Sequence, residues 1–396
     1  MLKSNAHLIA IRNEPITDTG SLAKFCDAAS SARFLTVDTE FIRETTFWPR
    51  LCLIQLATNE EAVTVDPLAD DLDLQPFFEL MGNPSVVKVF HAARQDIEII
   101  HHLGGLIPAP IFDTQVAAMV CGYGDAISYD QLVYRITGEK IDKSSRFTDW
   151  ARRPLSHKQL SYALADVTHL RDVYRSLSAN LKEQGRDSWV SEEMAILTSV
   201  GTYEAKPEDA WKRLKLRVKK PKEIAVMITV AAWREREAQS RNVPRARIIR
   251  DDAIHELAAQ QPKSTEDLKR MRALSRGFER SDMATPLLQA VSDGLTTDLD
   301  TVPKPDRGRP MPNGVGAITD MLKILLKAVS EKEGVAARVI ATSDDLTKIA
   351  ADDNADVAAL SGWRRELFGN EALKLKSGEL CLTVEHGRVV TIAKGR

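Results

Sequence analysis

Asp38 and Glu40 stand two residues apart at the end of an apolar run, Phe34-Leu-Thr-Val-Asp-Thr-Glu-Phe41. In an extended chain alternate side chains share a face, so both carboxylates point the same way. Two acids on one face repel each other unless a cation lies between them. Hard divalent cations such as Mg²⁺ or Mn²⁺ prefer carboxylate oxygens. A solvated strand end is the other reading of this pair taken alone. Farther along, Asp96 follows a short apolar strand pattern, and Tyr162 and Asp166 are spaced to share one face of a helix. Taken alone, that second pair reads more simply as a half-buried aromatic beside a surface acid.

The elements that must carry these residues are legible from periodicity. Phe34–Phe41, Leu51–Ala57 and Glu61–Asp66 read as strands, the last two joined by a turn at Thr58-Asn-Glu60. Thr17–Ala29 and Leu72–Met81 read as helices, the second stopped by Gly82-Asn-Pro84. Val86–Phe90 is a strand, and His91–His102 has helical spacing. Phe112–Val120 reads as a helix with Asp113 in its first turn, and Tyr129–Ile136 as another. Lys143–Pro154 is polar and irregular. Ser156-His-Lys-Gln159 has the form of a capping box and opens a helix to about Lys182. Its apolar side carries Leu160, Leu164, Val167, Leu170 and Val173. A hairpin followed by alternating helices and strands predicts an α/β domain with helices packed on a mixed sheet. Ligands of open α/β sheets collect at the carboxyl ends of strands, where Asp38 and Asp96 both fall.

At 396 residues the chain is too long for one core, so two or three domains are expected. Cys26, Cys52, Cys121 and Cys381 are scattered with no Cys-x-x-Cys pair. That pattern argues against a zinc ribbon or a disulfide framework and suits a reducing compartment. No apolar run is long enough for a membrane span, and Met1-Leu-Lys-Ser-Asn5 lacks the core of a secretion signal. A cytoplasmic location and no membrane partner are therefore expected.

Together the acids fall in a recognisable order. Val37-Asp-Thr-Glu-Phe41, Lys88-Val-Phe-His-Ala92, Phe112-Asp-Thr114, and Asp149-Trp-Ala-Arg-Arg-Pro-Leu155 leading into Tyr162-Ala-Leu-Ala-Asp166 resemble the DEDD superfamily of exonucleases, tyrosine subgroup, and within it the ribonuclease D family. The resemblance covers roughly residues 15–185. It implies a ribonuclease H-like fold and a 3′–5′ exoribonuclease that releases nucleoside 5′-monophosphates. It also implies two divalent ions, Mg²⁺ or Mn²⁺, held by Asp38, Glu40, Asp96 and Asp166, with Tyr162 orienting the attacking water. A tyrosine, with its ordinary pKa near 10, is a poor base at neutral pH, so positioning is the role expected of Tyr162. Phe41, His91, Arg146, Trp150, Arg152 and Arg153 are further candidates for substrate contact. For His91 a structural role is the commoner one, and for Phe41 and Trp150 core packing is.

From Lys206 to Arg250 the chain carries 14 Lys/Arg against 5 Asp/Glu, although its overall net charge is −2. Pro221–Arg241, Ile249–Gln260 and Ser264–Leu274 read as helices there. Trp233-Arg-Glu-Arg-Glu-Ala238, Asn242-Val-Pro-Arg245 and Asp251-Asp-Ala-Ile254 resemble an HRDC domain, which implies nucleic-acid binding. Clustered cations on helices independently suit a phosphate backbone. Gly294–Gly316 is rich in Pro and Gly and reads as a linker. Beyond it lie an amphipathic helix ending at Gly334, helices at Ser343–Ala350 and Val357–Phe368, and a hairpin over Glu379–Ile392 turning at His386-Gly387. The expected organisation is an exonuclease domain (1–200), a first HRDC domain (206–293), a linker (294–316) and an HRDC-like second domain (317–396). The resemblance to the ribonuclease D family implies tRNA precursors and other structured RNA 3′ ends as substrates. A 3′–5′ DNA exonuclease and a non-catalytic RNA-binding protein are the alternatives, and a monomer is the default.

Overall fold

A computed structural model describes residues 9–146, 148–303, 312 and 314–394. The chain divides into two compact units. The first comprises Met1–Glu40, Cys52–Thr202 and Pro310–Arg396, and the second Phe41–Leu51 and Tyr203–Arg309.

The first unit is built on a six-stranded mixed sheet of order β1-β4-β3-β2-β5-β6. The strands are β1 (Ala10–Ile11), β2 (Phe34–Ile42), β3 (Arg50–Ala57), β4 (Glu61–Val65), β5 (Val87–Phe90) and β6 (Ile111–Asp113). β3 and β4 form the expected antiparallel hairpin, while β2–β5, β5–β6 and β1–β4 run parallel. Helices α1 (Thr19–Ala29), α2 (Gln75–Gly82), α3 (Arg94–Gly104), α4 (Thr114–Val120), α5 (Tyr129–Thr137), α6 (His157–Gln184) and α7 (Asp187–Leu197) accompany the sheet. Three elements differ from the sequence reading, the first of them β1, which it does not contain. Ile111–Asp113 is a strand rather than the start of a helix, because pairing with β5 satisfies its backbone, and Asp113 caps α4 instead of lying within it. α7 has no counterpart in the sequence reading.

α6 is fixed at both ends as its sequence suggests. Ser156 and Gln159 form the capping box, and Gly185 closes the helix in the left-handed region at φ 66°. Leu160, Leu164, Val167, Leu170 and Val173 are all buried. A buried hydroxyl joins the helix to the sheet, since Thr36 of β2 donates to the carbonyl of Val167 at 2.8 Å. Arg171, also buried, donates to the carbonyls of Thr58 and Asn59 and so ties α6 to the β3–β4 turn.

The carboxyl-terminal part of this unit contains α13 (Val315–Glu333), α14 (Ala337–Ile340), α15 (Ser343–Ala351), α16 (Gly362–Arg364) and α17 (Asn370–Ser377). The hairpin β7 (Leu380–Glu385) and β8 (Arg388–Ala393) follows, with its turn at His386-Gly387 as expected. The helix expected over Val357–Phe368 starts only at Gly362, after a separate turn at Ala358–Leu360, and runs without interruption through a π-helical segment, Arg365–Gly369, into α17. Trp189 of α7 stacks on Trp363 with centroids 4.3 Å apart and planes 7° from parallel. Arg364 pairs with Glu192 and Glu193, and the Ala336 N–H donates to the Met119 carbonyl at 2.8 Å. Gly122 is required here, because a Cβ would stand 2.5 Å from the Gly334 oxygen.

The second unit packs α8 (Pro221–Ser240), α9 (Arg245–Ile248), α10 (Asp251–Gln260), α11 (Thr265–Lys269) and α12 (Ala284–Thr296) around one core. α11 is shorter than the helix expected to reach Leu274. Gly294 belongs to α12 rather than to the linker. A Cβ there would meet the Val226 Cα of α8 at 2.5 Å, so the glycine permits the two helices to touch. Pro305 and Pro310 of the expected linker lie outside the described residues. Phe47, from the segment after β2, is buried in this core. The Asn242 side-chain oxygen accepts from the Phe47 and Trp48 backbone N–H groups at 3.2 and 3.0 Å. Among the described residues, no helix is long and apolar enough to cross a membrane.

Candidate active site

β2 is buried on both faces from Phe34 to Val37 and opens at its carboxyl end. There Asp38 and Glu40 meet Asp166 of α6, with one oxygen from each lying within 4.8 Å of the others. Asp96, in the first turn of α3, is buried, and its Oδ1 accepts from the Thr39 hydroxyl at 2.5 Å. The strand that presents two acids therefore also holds a third from the intervening residue.

Burial and mutual repulsion act together on these groups. Desolvation, then the charge of Asp166, pushes the Asp38 carboxyl well above its usual range. Desolvation followed by Asp38 does the same to Asp96. Burial, with Asp38, Asp166 and Asp96 behind it, takes Glu40 up to about 10. Burial raises Asp166 to about 7, while the Tyr162 hydroxyl and Arg146 pull it back. Acids so crowded ionise together only beside added positive charge, and this donor set of hard oxygens fits a divalent cation.

A cleft of about 440 Å³ opens over the cluster, lined by Asp38, His91, Tyr129, Arg146, Tyr162 and Asp166. Tyr162 hydrogen-bonds Asp166, and burial together with the surrounding carboxylates drives its hydroxyl further above the ordinary tyrosine value. It stays protonated and donates. Tyr129 is a site residue that sequence reasoning misses. It is half-buried, and its hydroxyl donates to the backbone carbonyl of Asp166, tying the start of α5 to that turn of α6. A lone tyrosine at a helix start carries no sequence signal for such a role.

The remaining candidates separate. Arg146 is exposed on the cleft, and its charge lowers both Glu40 and Asp166. His91 lines the cleft with Nδ1 2.9 Å from the Thr114 hydroxyl. Trp150 is buried, its ring centroid 6.2 Å from that of Tyr162 and the planes 35° apart. Phe41 continues β2 beyond Glu40, half-buried, and Arg152 is exposed. Arg153 is withdrawn from the set of phosphate contacts. Its guanidinium grips both oxygens of Asp66 at 2.5 and 2.6 Å and donates to the carbonyls of Cys52, Trp150 and Arg152. No donor remains for a substrate.

Residues 13–182 match the 3′–5′ exonuclease family, and residues 224–291 match the HRDC domain family. The ribonuclease D of Nitrobacter hamburgensis is 56% identical over 96% of this chain and 99% of its own length. The chain belongs to the ribonuclease D family. The ribonuclease D of Bartonella henselae is 50% identical over 95% of this chain and 93% of that protein. The crystal structure of Escherichia coli RNase D, an exoribonuclease involved in structured RNA processing, superposes with a TM-score of 0.79 at 28% identity, over 92% of this chain and 98% of that one. The α/β exonuclease domain and the HRDC domain after it, both expected from the sequence, are the ones observed, and the region beyond carries helices and a terminal hairpin. Membership makes this chain a 3′–5′ exoribonuclease, a phosphodiester hydrolase whose fold uses divalent metal.

The second unit adds a cationic surface of its own. A cleft of about 610 Å³ is lined by Arg213, Lys215, Arg217, Arg234, Arg245, Arg250 and His255, together with two acids, Asp251, which pairs with Arg234, and Asp252. Glu235, fully buried beneath it, accepts from Arg245 at 2.5 Å and from Arg213 at 3.0 Å. Those two arginines are held in place, whereas the side chains of Lys215 and Arg217 are exposed.

Proposed function

We propose that this enzyme trims the 3′ ends of structured RNAs, tRNA precursors among them, one nucleoside 5′-monophosphate at a time. The reading rests on one observation above all, that Asp38, Glu40 and Asp166 converge beneath a cleft also lined by Tyr162. Asp38, Glu40, Asp96 and Asp166 would hold two Mg²⁺ or Mn²⁺ ions. Bound there, such ions supply a low-pKa water and neutralise charge on the scissile phosphate. Tyr162, kept protonated, orients the attacking water through its hydroxyl, while Asp166 fixes the hydroxyl's direction. Thr39 and Tyr129 restrain Asp96 and the Asp166 backbone. Arg146 sits where it would meet the phosphate of the terminal nucleotide, with His91 beside it.

We further assign the cationic cleft of the HRDC unit to the RNA backbone upstream of the reacting end, residues 317–396 to a second, divergent HRDC-like domain, and the whole to a cytoplasmic monomer. The deciding experiment offers matched RNA and DNA oligonucleotides, with and without a 3′-phosphate block, in Mg²⁺ and in EDTA. Mononucleotide release from unblocked RNA alone, abolished by EDTA, is expected. Internal cuts in the blocked strand would refute exonucleolytic action, and equal rates on DNA would refute RNA as the substrate.

A further inference from the structure

The turn that delivers Asp96 is strained and clamped. β5 ends at Phe90 and α3 begins at Arg94, with Asp96 in its first turn. Between them Ala92 has φ 61°, the left-handed region in which a Cβ crowds the backbone. Left alone, an alanine there relaxes toward negative φ and re-aims the start of α3.

One residue opposes that relaxation. Asp113, at the end of the neighbouring strand β6, is buried, and its carboxylate accepts from Ala92 N–H at 3.0 Å and Ala93 N–H at 2.9 Å. It also caps α4 through Gln115 N–H at 2.8 Å. Both oxygens are thus occupied by backbone donors, which leaves Asp113 poorly placed to act as a metal ligand. The adjacent Thr114 reinforces the clamp, its hydroxyl lying 2.9 Å from both the Phe90 carbonyl and His91 Nδ1. β6 is paired with β5 in register at Phe90 and Asp113, so the clamp stands on a rigid base.

We propose that Asp113 is a positioning residue for the metal site: by holding Ala92 in the left-handed conformation it aims Asp96 at the carboxylate cluster. The inference rests on Asp96 serving as a ligand. It makes a specific demand, because strain at Ala92 and the clamp at Asp113 must be coupled. Glycine adopts the left-handed conformation freely, so a glycine at residue 92 lessens the need for the clamp.

The test is a double-mutant cycle of Asp113→Asn and Ala92→Gly, read by Mn²⁺ affinity in titration calorimetry and by kcat and KM on a short oligoribonucleotide. Asparagine's one oxygen can still accept from Gln115 N–H and Ala92 N–H, but the amide nitrogen that replaces the other oxygen cannot accept from Ala93 N–H, so the turn is held on one side only. Asp113→Asn is expected to weaken Mn²⁺ binding by about ten-fold, the usual effect of losing a group that orients a ligand, with KM for RNA nearly unchanged. Ala92→Gly alone is expected to bind Mn²⁺ like the parent, and the double variant to recover most of the loss. A double variant no better than Asp113→Asn, or an Asp113→Asn protein with parental affinity, overturns the proposal. If Asp113→Asn does not fold, Thr114→Val replaces it in the same cycle, with a smaller loss again recovered by Ala92→Gly. Failure of either the loss or the recovery is decisive there too. Asp96→Ala runs alongside: if it leaves Mn²⁺ affinity intact, the reading of Asp96 as a ligand fails first.

Discussion

Asp38, Glu40 and Asp166 crowd one another at the edge of a core with Asp96 beside Asp38, and each of the four has its proton held more tightly than in water. Removing the acid at the centre removes the site. Asp38→Ala is therefore expected to abolish mononucleotide release in metal-replete buffer, and near-parental rates would contradict its assignment. Tyr162→Phe deletes one hydroxyl and leaves the carboxylates in place, so kcat should fall by about 10²-fold or more while Mn²⁺ affinity in calorimetry changes little. The raised pKa values also fix a pH dependence. Asp166, raised to about 7, holds a proton in the folded state that it releases on unfolding. Its contribution to the stability of the metal-free protein is full below the unfolded pKa and is lost as pH rises through about 7. Metal-free Tm should thus fall between about pH 5 and pH 8. Added Mg²⁺ competes with protons for the same oxygens, so the rise in Tm it produces should be larger at the upper pH. An equal rise at both would mean that these acids do not share a cation.

Elements matter through what they anchor. The segment after β2 is held by the second unit, where Phe47 is 4% exposed, Arg245 lies 4.5 Å over its ring, and Asn242 accepts from two backbone N–H groups. Phe47→Ala empties a core site and should cost about 3–5 kcal/mol, read as a lowered urea midpoint for the helical unit's unfolding. A loss below about 1 kcal/mol would mean the segment is not part of that core. Nothing local marks Phe47 for this role, because a phenylalanine in a polar stretch reads alike whether it faces sheet, helix or water. The same limit explains β1 and β6, two and three residues long, which exist only through pairing with β4 and β5. Arg153 and Asp66 are likewise far apart in sequence, and only the fold reveals that the arginine is committed. What was legible had a local cause: the capping box of α6, the alternation that placed Asp38 and Glu40 together, and the helical stripe carrying Tyr162 above Asp166. Convergence of those three acids depends on Thr36 and Arg171 seating α6 on the sheet, and neither residue announces that function in sequence.

For the whole molecule, charge is distributed rather than abundant: a chain of net charge −2 concentrates an excess of nine Lys/Arg over Asp/Glu between Lys206 and Arg250. Deleting everything beyond residue 200 tests that surface badly, because the Trp189–Trp363 stack and the Met119–Ala336 hydrogen bond join residues 314–394 to helices α7 and α4 within one unit. Surface substitution is cleaner. Lys215, Arg217 and Arg250 line the cationic cleft, and the buried Glu235 binds Arg213 and Arg245 instead, so the three can be changed without stripping that frame. Every phosphate deprived of its cationic side chain lowers the slope of log affinity against log salt by about 0.7 for a single strand or about 0.9 for a duplex. The triple Ala variant should therefore bind a tRNA-sized RNA more weakly, with a slope shallower by about 2–3. Its kcat on an oligonucleotide too short to reach the helical unit should be unchanged, since the carboxylate cluster is untouched. An unaltered salt slope would remove the cleft from the RNA path. A collapse of kcat on the short substrate would instead mean that the helical unit acts on the chemistry itself.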